Sequence, residues 1–142
     1  MDNRFETFMT LTARIQKCTR RLKAETMSQM NLKSSHAYCI YYLYKNKNVT
    51  LKKLSELSGE DKGAISRTVE FLRAEGYVIV AEGKGHYKHA LILTEKGAEA
   101  GRLISDKIDR VLCKVSEEVD DEERLAMYDT LDKICSVMES FV

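Results

Sequence analysis

This sequence predicts a mainly α fold with one small β-hairpin, α+β in class, and three observations carry that expectation. Apolar residues recur at three- and four-residue steps through most of the chain. That period turns extended only at residues 77–80 and 90–93, two short runs that are largely β-branched, aliphatic or aromatic and enclose a loop with two glycines. No proline interrupts the pattern, so glycines and capping residues supply the punctuation.

The first helix is long. Phe5, Phe8, Met9, Thr12, Ile15, Cys18 and Leu22 keep helical spacing and carry it towards Met27. Ser34 and Ser35 are placed to cap a second helix from Ala37 to Lys45, which Asn46, Lys47 and Asn48 end. Thr50 opens a short helix with Leu51, Leu54 and Leu57 inward, and Ser58, Gly59 and Glu60 break it. Asp61 caps the next helix, whose Ile65, Val69 and Leu72 face inward and which stops at Glu75 and Gly76. Two helices joined by a tight glycine-bearing turn make a helix-turn-helix, and the hairpin after it makes a wing. Thr94 then caps a long helix with the stripe Ile104, Ile108, Val111, Leu112 and Val115. A last helix follows Asp120 and Asp121 and bears Leu125, Tyr128, Leu131, Ile134, Met138 and Phe141. The expected organisation is a winged helix-turn-helix domain over residues 34–94, flanked by an N- and C-terminal helical dimerisation region formed by residues 1–33 and 95–142.

A chain of 142 residues, 44% hydrophobic and 32% charged, has globular composition and room for one core. It has no apolar run of the roughly 20 residues a membrane span needs and no secretory leader pattern, which predicts a cytoplasmic protein without membrane contact. Cys18, Cys39, Cys113 and Cys135 lie far apart within helical patterns, so packed, reduced thiols are expected rather than a zinc knuckle. Charge is segregated although the net is only +1. Residues 1–48 hold nine Lys/Arg against three Asp/Glu, and residues 94–142 hold seven against thirteen. The central segment, 49–93, is nearly balanced, so any affinity for phosphates there depends on placement.

The helix beginning at Lys62 suits a DNA groove. Its outward side carries Lys62, Gly63, Ala64, Ser66, Arg67 and Thr68 in the first two turns, small or hydrogen-bonding residues that let backbone approach base edges while Arg67 and Ser66 reach phosphate or base. Its N-terminus adds free N–H groups for phosphate. At the hairpin tip Lys84, His86 and Lys88, with Tyr87, form a probe for a minor groove or backbone. An ordinary solvated helix face and hairpin have the same composition.

Three runs resemble the MarR family of bacterial regulators: Leu51, Leu54, Ser55 and Leu57; Ile65, Ser66, Arg67, Val69, Leu72, Gly76 and Tyr77; and Leu93, Thr94, Glu95, Lys96 and Gly97. The resemblance spans essentially the whole chain. It implies a homodimer whose first and last two helices interleave, a recognition helix at residues 62–75, and a wing tip at the minor groove. Where the family's wing carries an acidic residue and an arginine, this chain has Gly85, His86 and Tyr87, leaving Lys84 or Lys88 to substitute. A two-fold dimer predicts a pseudo-palindromic operator with half-sites roughly 10 base pairs apart.

The resemblance also implies a pocket for a small aromatic or amphipathic ligand between the second helix and the dimer base. Tyr38, Tyr41 and Tyr42 would line it, with Arg14 and His36 orienting an anionic group; the plain reading of the tyrosines, and the preferred one, is core packing with hydroxyls reaching water or a partner. Cys18 is the candidate for a first-helix peroxide sensor, with Lys17, Arg20 and Arg21 near it. His86 and His89 point to opposite faces of a hairpin and predict no metal site, and no cofactor motif or catalytic motif occurs. The function predicted is a sequence-specific regulator of double-stranded DNA, a homodimeric repressor relieved by a small ligand or oxidation, and not an enzyme. The alternative is a winged-helix protein-interaction module without DNA binding.

Overall fold

A computed structural model of the chain describes residues 3–82 and 89–142. It contains α1 (Arg4–Met27), a 3-10 turn (Ser28–Met30), α2 (Ser34–Lys45), α3 (Leu51–Ser58), α4 (Lys62–Ala74), β1 (Val78–Val80), β2 (Leu91–Leu93), α5 (Glu95–Glu118) and α6 (Asp121–Glu139). Two compact units are distinguished, Met1–Lys107 and Ile108–Val142.

The first unit holds the core. Ile40 and Leu43 of α2, Leu54 of α3, Ile65, Val69 and Leu72 of α4, and Val78 and Leu91 of the hairpin are all buried, with Ala100 and Ile104 of α5 and Met27 at the end of α1. The three α4 residues fall at i, i+4 and i+7, a single stripe that turns the rest of that helix outward. β1 and β2 pair antiparallel, with Val78 opposite Leu93, Ile79 opposite Ile92 and Val80 opposite Leu91. Val49 adds an isolated antiparallel bridge to Leu91, whose N–H donates to the Val49 carbonyl at 2.7 Å. The sequence marks Val49 only as the residue before a helix cap, because one bridging residue has no period.

The second helix departs from expectation at its start. It begins at Ser34, so Ser34 and Ser35 lie in its first turn and Lys33 takes the cap position. The cap is made backwards: the Lys33 N–H donates to Nδ1 of His36 at 3.0 Å, so an imidazole at the third helical position does the work usually done there by Glu or Gln. Elsewhere the expected caps form. Thr50 accepts from the Lys53 N–H at 3.2 Å, and Asp61 Oδ1 accepts from the Ala64 N–H at 2.8 Å. Gly59 at φ 69° and Gly76 at φ 80° take the left-handed turns that end α3 and follow α4.

Residues 94–101 lock the far end of α4 to α5. The Thr94 hydroxyl donates to the Gly76 carbonyl at 2.6 Å and accepts from the Gly97 N–H at 3.1 Å. Lys96 caps α4 through the Glu75 carbonyl at 2.8 Å while its ammonium stands 4.3 Å from the Tyr77 ring centroid. Gly97 packs directly on the Tyr77 carbonyl and Gly101 on the Tyr44 ring, so closely that a Cβ at either would collide.

The second unit contains the end of α5 and all of α6. Asp120 and Glu123 form a reciprocal capping box at the start of α6, with bonds of 2.8 and 3.1 Å. No residue of α6 is buried, and Leu125 is 61% exposed.

The expectation of packed thiols is met only at Cys39. Cys18, Cys113 and Cys135 are exposed, because the helical faces that carry them are uncovered in a single chain.

Candidate nucleic-acid interface

Because Ile65, Val69 and Leu72 anchor one side of α4, the opposite side is determined by helical geometry. It carries Gly63, Arg67 and Glu70, all exposed, with Lys62, Ser66 and Arg73 on one flank. Ala64 and Thr68 occupy the other flank, where they are half-buried, and with Ile65 they line a cavity against α2. The six α4 positions named from the sequence thus divide, with Lys62, Gly63, Ser66 and Arg67 clear of that cavity.

Gly63 keeps the first turn open. A Cβ there would stand 3.2 Å from Asp61 Oδ1 and 3.6 Å from an Arg67 guanidinium nitrogen, so the arginine folds back over the turn towards the capping carboxylate. With Asp61 occupied by the Ala64 N–H, the helix start is rigid and its guanidinium is mounted on an anchored turn. Glu70 is the residue that sequence reasoning missed. It lies one turn after Arg67 on the outermost face, 3.9 Å from Arg73, and its position relative to the buried stripe would have revealed it.

The wing positions Lys84, His86 and Lys88 lie outside the described residues. The described base of the hairpin presents Ile79 and Ile92, a directly opposed exposed pair. Among the described residues no group of three or more His, Cys, Asp or Glu side chains is placed to hold a metal. Likewise no helix among them is long and apolar enough to cross a membrane.

The residues named for a ligand are only partly brought together. The Tyr38 hydroxyl bonds to that of Tyr42 at 2.9 Å, and Tyr41 meets Tyr42 edge to face with centroids 5.9 Å apart. Burial, then the Tyr42 hydrogen bond, pushes the Tyr38 hydroxyl well above the usual tyrosine range. His36 is stacked on Phe71 of α4 and its Nδ1 is engaged by Lys33. Arg14 lies apart, in an open furrow of α1 with Met9, Thr10, Ala13 and Lys17. Cys18 is exposed on the same helix.

No protein-family model matches the sequence, and no curated protein matches it. Solved structures do match the fold. The chain is similar to a MarR/EmrR family transcriptional regulator from an Acinetobacter species, with a TM-score of 0.79 and 22% identity over 99% of each chain. It is similar to a MarR family regulator from Neisseria meningitidis, with a TM-score of 0.75 and 22% identity over 95% of each chain. It is also similar to MepR of S. aureus in a DNA complex, with a TM-score of 0.77, 15% identity and coverage of 90% of this chain and 94% of that one. The fold is that of these winged-helix regulators.

Proposed function

We propose that the chain is a sequence-specific double-stranded DNA-binding regulator acting as a homodimer, a member of the MarR family and not an enzyme. One observation carries the reading: α4 is anchored by Ile65, Val69 and Leu72 and capped by Asp61, and it presents Gly63 and Arg67 on its open side. A helix held this way offers a close backbone approach and one guanidinium to a major groove. MepR, which shares the fold, was solved bound to DNA, and that supports the reading.

Homodimerisation is supported by what one chain leaves open. Phe5 is 70% exposed, Met9, Ile15, Leu112, Val115 and Tyr128 are exposed too, and so many apolar side chains on terminal helices need a covering surface. The basic balance of residues 1–48 and the acidic balance of residues 94–142 make a second copy electrostatically suitable. Such a dimer reads a pseudo-palindromic operator, and the regulator works in the cytoplasm. Repression relieved by a small ligand or by oxidation of Cys18 completes the proposal. Lys84, His86 and Lys88 serve as its wing contacts.

Titration of duplex binding against salt tests it, because a phosphate-contacting dimer loses affinity steeply as salt rises. Arg67→Ala should weaken binding and lower the salt slope by about 1. Its thermal stability should stay within about 0.5 kcal/mol of the parent. Binding absent at low salt, with an intact dimer, would favour the protein-interaction module, which the outward Glu70 also suits.

A further inference from the structure

A cavity of about 340 Å³ lies behind α4, lined by Ser35 and Tyr38 of α2, Ser58 and Glu60 at the end of α3, and Ala64, Ile65 and Thr68 of α4. Its volume is near the lower end of small-molecule sites, which run from about 300 to 1,000 Å³. The lining combines an aromatic and aliphatic wall with hydroxyls and one charged group. That group is Glu60, and among the described residues that line the cavity there is no cation.

Glu60 is held in place by its backbone. Its carbonyl accepts from the Ser55 hydroxyl at 2.6 Å, and its N–H donates to the Ser58 hydroxyl at 3.1 Å. The next residue, Asp61, is spent on the α4 cap, so the turn cannot swing without releasing that helix. The carboxylate's field reaches into α2. Burial pushes the Cys39 thiol up to about 12 and raises the Tyr38 hydroxyl, and the negative charge of Glu60 adds to both.

An anion carried on an anchored turn beside an apolar wall selects cations with an apolar body, and it repels carboxylates. We propose that this cavity binds a small organic ammonium ion, a single aromatic ring on a short aminoalkyl chain. The ring lies between Tyr38 and the α4 wall of Ala64 and Ile65, the ammonium meets Glu60, and Ser35 and Thr68 supply further hydrogen bonds. Occupancy presses on the face of α4 behind Arg67. That consequence rests on the DNA reading, whereas the binding itself does not.

The test uses the free full chain, so its result is separate from the duplex experiments. Phenethylamine, 2-phenylethanol and 3-phenylpropionate are titrated by calorimetry and followed by amide chemical shifts. Phenethylamine should bind and move the Ser35, Tyr38, Ala64 and Thr68 resonances, and Glu60→Gln should weaken it by about tenfold, the loss of one charge-assisted hydrogen bond. The alcohol should bind about as weakly to the parent as the amine does to E60Q. Glu60 is exposed, so this variant keeps the fold, and Glu60→Asp should restore part of the affinity. Absence of phenethylamine binding at millimolar concentration, equal binding by E60Q, or equal binding of the carboxylate would overturn the proposal.

Discussion

The imidazole of His36 lies flat against the ring of Phe71, with centroids 4.0 Å apart and planes 8° from parallel. One face of the ring joins α2 to α4, and its Nδ1 closes the start of α2 by accepting from Lys33. A single side chain therefore serves both the packing of α4 and a helix terminus.

That double use makes stability depend on pH. Burial, and secondarily the Lys33 charge, lowers the His36 pKa below its ordinary 6.5. The native chain keeps the ring neutral while the unfolded chain protonates it, so its contribution is complete above 6.5 and is lost as pH falls towards the lower native value. Melting temperature should drop on acidification below about pH 6.5, a component that His36→Gln should abolish while keeping the backward cap. An unchanged pH profile in H36Q would show that another group titrates.

Gly97 and Gly101 predict an order of stability. Alanine in a helix interior normally gains about 1 kcal/mol over glycine. At Gly97 the new methyl meets backbone, the Tyr77 carbonyl, which cannot yield without opening the junction between α4, β1 and α5. Gly97→Ala should therefore cost about 2–3 kcal/mol in urea unfolding. At Gly101 the methyl meets the Cβ and inner ring atoms of Tyr44 at 2.8 Å, so α2 itself must shift; the overlap is smaller than at the Tyr77 carbonyl, and Gly101→Ala should destabilise, but by less than Gly97→Ala.

Glu70 predicts a gain. Its pair with Arg73 is long and solvent-exposed, so Glu70→Gln should leave stability within about 0.5 kcal/mol of the parent. Removing an anion from the outermost face of α4 should tighten binding to duplexes of arbitrary sequence, read by fluorescence anisotropy at fixed salt. If discrimination between sequences falls at the same time, Glu70 accepts from a cytosine amino group. No change on any duplex would mean that this face does not meet DNA.

The last prediction concerns assembly. Leu131 is an exposed apolar residue in the middle of α6, and Leu131→Glu puts a charge on the surface proposed to be covered by a second copy. Sedimentation should show the variant shifted to monomer at micromolar concentration, with the helical circular dichroism signal of the first unit retained. A variant that stays dimeric would move the interface elsewhere.

Much of the architecture was legible because it depends on local rules. The caps at Thr50, Asp61 and Thr94 each place a side-chain oxygen before an apolar period, and all three form. The stripe Ile65, Val69 and Leu72 likewise identified which face of α4 is buried. Ser34 and Ser35 misled because serine satisfies the same local rule. The outcome there was decided by His36, whose ring is held by Phe71 from a helix 35 residues further along the chain.

The site divides in the same way. Period and capping determine by themselves that a short anchored helix at Lys62 shows Arg67 to solvent, since those are interactions between residues a few positions apart. Only tertiary packing decided that Ala64 and Thr68 turn towards Tyr38 and Glu60, and that Val49 joins the hairpin at Leu91. These pairings join segments distant in the chain, and no local pattern records which segments hydrophobic burial will bring together.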